Sequence, residues 1–215
     1  MIYSSLSAGQ LAFIIIVPIV VLVIIFLAIY IPVRKRNMPS NFRYFYYKKI
    51  YKVAMDKDYY LINNFFFKID GSHVGKIDHI LFADKYIYII QDCYFKGDLD
   101  GKENDQSLIR ITKEGKKNYE DNPLVSTRML INKLCERTNI SQDLIVGVCL
   151  INDECNCAVE TTTNNMFIIQ CSKFRKLVRV IESRRVGKIN AKEMASMVKA
   201  IDKMNRRKHK NGRQH

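Results

Sequence analysis

The sequence predicts an α/β fold in which a mixed central sheet is flanked by helices. Four apolar runs rich in β-branched and aromatic residues have the length of strands: 77–82, 86–93, 144–151 and 166–170. Apolar side chains recur at helical spacing in residues 42–57, 173–185 and 190–204. The run at 144–151 is almost wholly apolar, which is typical of a central strand covered on both faces.

Turn and cap residues predict the other elements. Residues 59–67 predict the first strand, residues 97–101 a loop with two glycines and two aspartates, and residues 108–112 a further strand. Asn122 is placed to cap a helix that starts at Pro123, where a missing N–H costs nothing. Ser172 is placed to cap the helix over 173–185, and Asn190 with Glu193 has the spacing of a capping box.

The start of the chain is apolar and uncharged. Residues 11–33 form a run of 23 residues without charge, long enough to cross a bilayer as a helix. A cleaved signal peptide needs a basic start and a shorter apolar run, and residues 1–10 contain no basic side chain. We therefore predict a short extracytoplasmic N-terminus at 1–10 and an uncleaved, single-pass transmembrane helix at 11–33.

Charge distribution predicts the orientation. Residues 34–49 hold six Lys or Arg and no acid, and they include a basic linker at 34–41. The positive-inside rule places these residues, and the domain after them, on the cytoplasmic side of the cell membrane. Six cysteines scattered among apolar runs agree with reduced thiols in that compartment.

The C-terminal part is strongly basic. Residues 172–215 hold 15 Lys or Arg and three acids, whereas residues 50–171 hold 14 basic and 18 acidic residues. The tail at 206–215 has no apolar residue and is predicted to be disordered. Five of its residues are candidate contacts to nucleic acid or anionic lipid: Arg206, Arg207, Lys208, Lys210 and Arg213. No aromatic residue interleaves them, so we expect any binding to be independent of sequence.

The centre of the chain carries a recognisable motif. An acid at the start of one strand followed by polar residues at the end of the next is typical of metal-dependent nuclease sites. The motif residues are Ile77-Asp78-His79, 86–91, Lys96-Gly97, Asp100-Gly101 and Asn122-Pro123. Over residues 41–171 this pattern resembles the nuclease-related domain (NERD) family of the restriction-endonuclease-like superfamily. The resemblance implies a restriction-endonuclease-like sheet within a nuclease-related domain at 42–205, which includes the C-terminal helices.

The chain departs from the family where the chemistry is expected. The family pattern has Asp and then Glu-x-Lys; Asp78 fits, but Gln91 and Cys93 stand at the Glu and Lys positions. Mg²⁺ prefers anionic oxygen ligands, and a thiol supplies no positive charge. Strand neighbours point to opposite faces, so Asp92 is predicted to point away from the site unless a bulge rotates it inward. Residues 42–50 also lack the Glu that the family tends to carry on its first helix.

We therefore predict a degenerate site made of Asp78, Gln91 and Cys93, with no cofactor and no nuclease activity. The first hypothesis is a membrane-anchored cytoplasmic domain that binds nucleic acid or a protein partner at the inner membrane face. The second is an active nuclease with a rearranged site, in which Asp78 and a recruited acid hold Mg²⁺. The third is a membrane scaffold without nucleic-acid binding, whose basic ends contact lipid.

Overall fold

A computed structural model describes residues 8–36, 41–71 and 73–205 of the chain. The chain divides into two compact units, Met1–Phe42 and Arg43–His215. The tail predicted at 206–215, and with it the five candidate contact residues, lies outside the described residues.

The first unit contains one helix, α1 (Ala8–Arg36). Its side chains are described over residues 16–32, where the large apolar ones are between 44% and 65% exposed. Within the described residues, no helix is long and apolar enough to cross a membrane. The side chains of residues 11–15 and 33 lie outside the described ones. The transmembrane helix predicted at 11–33 is therefore not supported by the structure and stays a prediction.

The second unit is an α/β domain with nine described strands and four described α-helices. The strands are β1 (Tyr60–Lys68), β2 (Val74–Phe82), β3 (Ile87–Asp92), β4 (Asp98–Lys102), β5 (Ser107–Ile111), β6 (Lys117–Asp121), β7 (Ile145–Ile151), β8 (Cys157–Glu160) and β9 (Met166–Gln170). The helices are α2 (Phe42–Lys57), α3 (Pro123–Thr138), α4 (Phe174–Glu182) and α5 (Ala191–Met204).

The larger sheet is mixed, as predicted. Its strand order is β1-β2-β3-β7-β9, with β1, β2 and β3 antiparallel and β3, β7 and β9 parallel. Every residue of β7 is buried, which confirms the central strand predicted from the run at 144–151. Helix α3 packs against β3, β7 and β9, and α5 packs against β1 and α3.

A second sheet of four strands, in the order β6-β5-β4-β8, was not predicted. Residues 97–101 were expected to form a loop, but β4 begins at Asp98 and pairs with both β5 and β8. Strand β5 matches the strand predicted at 108–112, but β4 and β6 have five residues each and few apolar side chains, so no hydrophobic alternation marks them as half-buried strands. Leu99 and Leu108 are buried and join the small sheet to the hydrophobic core.

Most helix boundaries follow the predicted caps. Oδ1 of Asn122 accepts a hydrogen bond from the N–H of Leu124 at 3.0 Å, and α3 begins at Pro123. Asn190 likewise accepts from the N–H of Glu193 at 2.8 Å and caps α5. Helix α4 is shorter than predicted, and Ser172 is not its cap: residue Lys173 precedes the helix and makes no capping bond with its side chain.

Candidate functional site

The side-chain alternation of the sheet shifts by one residue where β1 pairs with β2. The core contains residues 62, 65 and 67 of β1 and residues 77, 80 and 82 of β2, so one interval in each strand is three residues instead of two. Asn64, with φ of 52°, lies in the β1 interval, between the pairs Asn63↔His79 and Phe65↔Ile77. As a result, Asp78 and His79 are neighbours in sequence, yet both line one cavity.

This shift gathers polar side chains from three strands. The N–H of Asp92 donates to Oδ2 of Asp78 at 3.1 Å. Nε2 of His79 lies 3.1 Å from Oδ2 of Asp92, and Nδ1 of His79 lies 2.6 Å from Oδ1 of Asn63. Both ring nitrogens of His79 therefore face oxygen atoms, which fixes the orientation of the imidazole.

A cavity of about 490 Å³ opens onto this cluster. Helix α2 contributes one wall, where the ring of Tyr47 stacks on His79 with centroids 6.3 Å apart. The lining residues are Arg43, Tyr44, Tyr47, Asn63, Asn64, Asp78, His79 and Asp92. The cavity thus combines two carboxylates, two amides, an imidazole, a guanidinium and aromatic rings, a set that can accept and donate hydrogen bonds to a bound partner.

The two carboxylates differ in their surroundings. Asp78 pairs with the Lys76 ammonium, and its other oxygen accepts from the backbone. The side chain of Asp92 is only 2% exposed, and its Oδ1 has no hydrogen-bond partner among the described residues. Burial raises the pKa of Asp92, although the hydrogen bond and charge of His79 act in the opposite direction. The protonated form of Asp92 is thereby favoured relative to a carboxyl group in water.

The prediction that Asp92 points away from Asp78 is wrong. Alternation along β3 holds, but the shift in β2 turns Asp78 toward the face on which Asp92 lies. Gln91, from the predicted site, donates from its amide to the carbonyl oxygen of Lys76 at 2.8 Å. Two adjacent asparagines inside the apolar run at 59–67 were the sequence signal for this irregularity.

Cys93, the third residue of the predicted site, packs against the hydrophobic core. A hydrogen bond with Cys149, together with burial, raises the pKa of its thiol. Cys149 also contacts the hydroxyl of Thr127, with Sγ and Oγ1 3.3 Å apart. The structure therefore brings Asp78 together with Asp92 and His79, and it places Cys93 in a neutral, partly apolar cluster. All six cysteines are free, as predicted.

Other residues of the motif support the backbone. Nδ2 of Asn122 lies 2.7–3.2 Å from the carbonyl oxygens of Lys102, Glu103 and Asp105, so its side chain joins the β4–β5 turn to α3. Gly97 has φ of 127°, and a Cβ there would lie 2.2 Å from the carbonyl oxygen of Ile111. Glycine is required at residue 97 because no other residue fits this approach.

As placed, the two carboxylates leave few oxygens for a Mg²⁺ ion. Both oxygens of Asp78 and Oδ2 of Asp92 are engaged, and of these four carboxylate oxygens only Oδ1 of Asp92 has no hydrogen-bond partner among the described residues. Mg²⁺ demands near-octahedral oxygen coordination and is usually held by one or two available carboxylates. Within the described part of the chain, no group of three or more His, Cys, Asp or Glu is placed to hold a metal ion.

Comparison with known proteins identifies the family. The model of the nuclease-related domain matches residues 45–152, half of the 215-residue chain, and this match covers the cluster around Asp78. Searches of curated proteins and of solved structures return no match. Motif, family match and sheet therefore agree, and the chain belongs to the nuclease-related domain (NERD) family.

Proposed function

We propose that the chain is a membrane-attached nuclease-related domain that binds nucleic acid or a protein partner without cleaving it. The observation that carries the proposal is that both carboxylate oxygens of Asp78 already have partners within the domain. Its carboxylate is bound by Lys76 and by the N–H of Asp92, while the family's Glu and Lys positions hold Gln91 and Cys93. Asp78 is thereby engaged within the domain, and neither the carboxylate nor the ammonium of the family's Glu-x-Lys pattern is present at residues 91 and 93.

The chemical argument concerns the attacking water. A metal-dependent nuclease uses carboxylate-bound metal to generate the nucleophile, and it places a positive charge beside the reacting phosphate. Gln91 offers only a neutral amide, which is committed to a backbone carbonyl. Cys93 offers a thiol whose pKa is raised, so it supplies neither positive charge nor a ready anion.

The test is cleavage by the purified full-length chain in detergent, with Mg²⁺ or Mn²⁺ and with single-stranded and duplex DNA and RNA. We expect the products to match those of Asp78→Ala, with no cleavage by either protein. Cleavage by the wild type that Asp78→Ala abolishes would establish the alternative, an active nuclease with a rearranged site.

The proposed attachment rests on residues 11–33, which carry no charge and are followed by Arg34, Lys35 and Arg36. The proposal places the second unit in the cytoplasm. Protease added to intact cells is expected to leave that unit uncut, and protease added to lysed cells is expected to digest it. Digestion of the second unit by protease outside intact cells would show the opposite orientation.

The proposed partners of the basic tail are acidic surfaces. Arg206, Arg207, Lys208, Lys210 and Arg213 would contact anionic lipid at about 1 kcal/mol for each charge, or nucleic acid with a steep salt dependence. The full chain and a chain ending at Asn205 are to be titrated with duplex DNA, and with anionic vesicles, at two salt concentrations. If the shortened chain binds DNA more weakly but binds vesicles as tightly as the full chain, the partner of the tail is nucleic acid. If the shortened chain binds vesicles more weakly but binds DNA as tightly as the full chain, a membrane scaffold is supported. Unchanged affinity for both ligands excludes a role for the tail in binding either of them.

A further inference from the structure

Helix α2 has an outer face that nothing in the described structure covers. Three large side chains lie on it, Tyr44, Tyr51 and Met55, which are 56%, 45% and 64% exposed. Lys48 and Lys52 are also exposed and fall between them on the same side of the helix. We call these five residues the α2 stripe. The opposite side of α2 is buried through Tyr46, Ile50, Val53 and Ala54.

The charges on α2 are almost all positive. The helix contains five Lys or Arg and a single acid, Asp56. That acid is bound by Arg175 of α4 at 2.7 Å, so it does not offset the lysines of the stripe. Nζ of Lys48 lies 4.5 Å from the centroid of the Tyr44 ring, which joins a cation and an aromatic face on the same surface.

We propose that the α2 stripe rests on the surface of an anionic phospholipid bilayer. Tyrosine rings are enriched at the headgroup level, where the ring is partly buried and the hydroxyl stays hydrated. Lysines lay their alkyl chains along apolar groups and place their ammonium among anionic headgroups. Because the apolar side of α2 is buried in the domain, the contact is made by the rings, the thioether and the ammonium groups of the stripe alone.

The position of α2 along the chain selects the bilayer over other acidic partners. Only residues 34–41 separate α2 from the apolar segment at 11–33, and four of the first ten residues after that segment are basic: Arg34, Lys35, Arg36 and Arg43. The inference rests on the proposed membrane attachment, and it adds a specific lipid-contacting surface to the domain itself.

The chain contains no tryptophan, so one substitution provides a unique fluorescent reporter. The full-length chain carrying Tyr51→Trp is to be reconstituted into vesicles with and without anionic lipid, and with phosphatidylcholine brominated on its acyl chains as a quencher. Tyr119→Trp is the matched control, because Tyr119 is a 77% exposed tyrosine that lies outside the α2 stripe, on β6 of the four-stranded sheet. Vesicle flotation of each protein is recorded in parallel.

We expect both proteins to float with the vesicles, with blue-shifted and quenched emission for Tyr51→Trp only. Adding Lys48→Glu and Lys52→Glu to Tyr51→Trp is expected to abolish that shift in anionic vesicles while the protein still floats.

If the proteins float and both tryptophans stay in water, the stripe inference is wrong and the attachment stands. If neither protein floats, both proposals fail. Quenching of the Tyr51→Trp emission by a single-stranded oligonucleotide in place of lipid would identify the stripe as a nucleic-acid surface and overturn the inference.

Discussion

The backbone N–H of Asp92 donates to Oδ2 of Asp78 at 3.1 Å and joins the end of β3 to the middle of β2. On the other side of Asp78, the Lys76 ammonium occupies the second oxygen. A carboxylate in this state is neutralised and directed by the protein itself. Both oxygens of Asp78 are therefore held by groups of the domain itself.

The substitution Asp92→Asn tests whether the buried carboxyl group of Asp92 lowers the free energy of unfolding. Burial raises the pKa of Asp92, so ionising it in the folded state is unfavourable, and this penalty is complete above both the folded and the unfolded pKa. We expect Asp92→Asn to stabilise the fold by about 1 kcal/mol at pH 8, measured as a rise of a few degrees in the midpoint of thermal unfolding.

The control for this variant is Asp100→Asn, at an exposed aspartate of β4 that is expected to change stability by less than about 0.5 kcal/mol. The benefit of Asp92→Asn should shrink as pH falls toward 3.8, the ordinary pKa of an aspartate. A lower midpoint for Asp92→Asn at pH 8 would show instead that the ionised carboxylate holds His79 in place.

The large sheet was predictable from sequence because its strands are long, apolar and mostly buried. The cluster at its edge was not, because strict alternation along β2 places Asp78 and His79 on opposite faces. Asn64 changes that geometry through a single left-handed residue, at φ of 52°. Asparagine adopts this conformation more readily than most residues, but the sequence alone does not show that it does so here.

The second sheet was missed for a different reason. Strand β6 reads Lys-Asn-Tyr-Glu-Asp and has no buried residue, so no hydrophobic pattern marks it. Its pairing with β5 is stabilised by contacts such as the bond from Nε of Arg110 to Oε1 of Glu120 at 2.6 Å. Such cross-strand partners are known only once the register is known.

Restoring the family residues is expected to fail. Cys93→Lys places an ammonium beside Cys149 and the hydrophobic core, where burial disfavours its charge. We expect Gln91→Glu with Cys93→Lys to lose about 2–4 kcal/mol of unfolding free energy and to show no Mg²⁺-dependent cleavage. Urea unfolding measures the first effect and a gel cleavage assay the second.

Cys93→Ala is the control for that variant, because it removes the thiol without adding charge and is expected to cost about 1 kcal/mol. Full stability of the double variant, together with cleavage, would mean that the site rearranges easily and that the domain is only a few substitutions from activity.

Gly97 and Gly115 form a matched pair for testing the motif glycine. Both have positive φ, 127° and 78°, but only at Gly97 would a Cβ meet the backbone, 2.2 Å from the carbonyl oxygen of Ile111. We expect Gly115→Ala to cost about 1 kcal/mol from backbone strain and Gly97→Ala to cost about 3 kcal/mol or more, because the β5 end must also move. Chemical denaturation measures both, and equal losses would show that the close approach relaxes without cost.

The carboxylate of Glu103 accepts several hydrogen bonds, and its side chain is fully buried. Its Oε2 accepts from the N–H groups of Thr162 and Thr163 at 2.7 and 3.0 Å, and Arg128 pairs with Oε1. Burial alone would raise the pKa of Glu103, but the hydrogen bonds from Thr163 and Thr162 and the charge of Arg128 outweigh it and lower the pKa. This carboxylate joins the β4–β5 turn to the β8–β9 loop and α3.

Glu103→Gln is therefore expected to destabilise the domain by about 3 kcal/mol at pH 7. The variant removes the anionic partner of Arg128, and its amide has one oxygen that can accept hydrogen bonds where the carboxylate has two. Glu160→Gln, at an exposed residue of β8, is the control and should change the free energy of unfolding little.

Since the folded pKa of Glu103 lies below its ordinary 4.5, the contribution of Glu103 to stability is complete above pH 4.5 and is lost as pH falls through the folded pKa. The gap in unfolding free energy between wild type and Glu103→Gln should accordingly be constant from pH 6 to 8 and close as pH falls below about 4.5. Urea titrations of the two proteins over that range measure the gap, and a gap that stays constant down to pH 3 would show that the carboxylate charge is not what holds the two loops together.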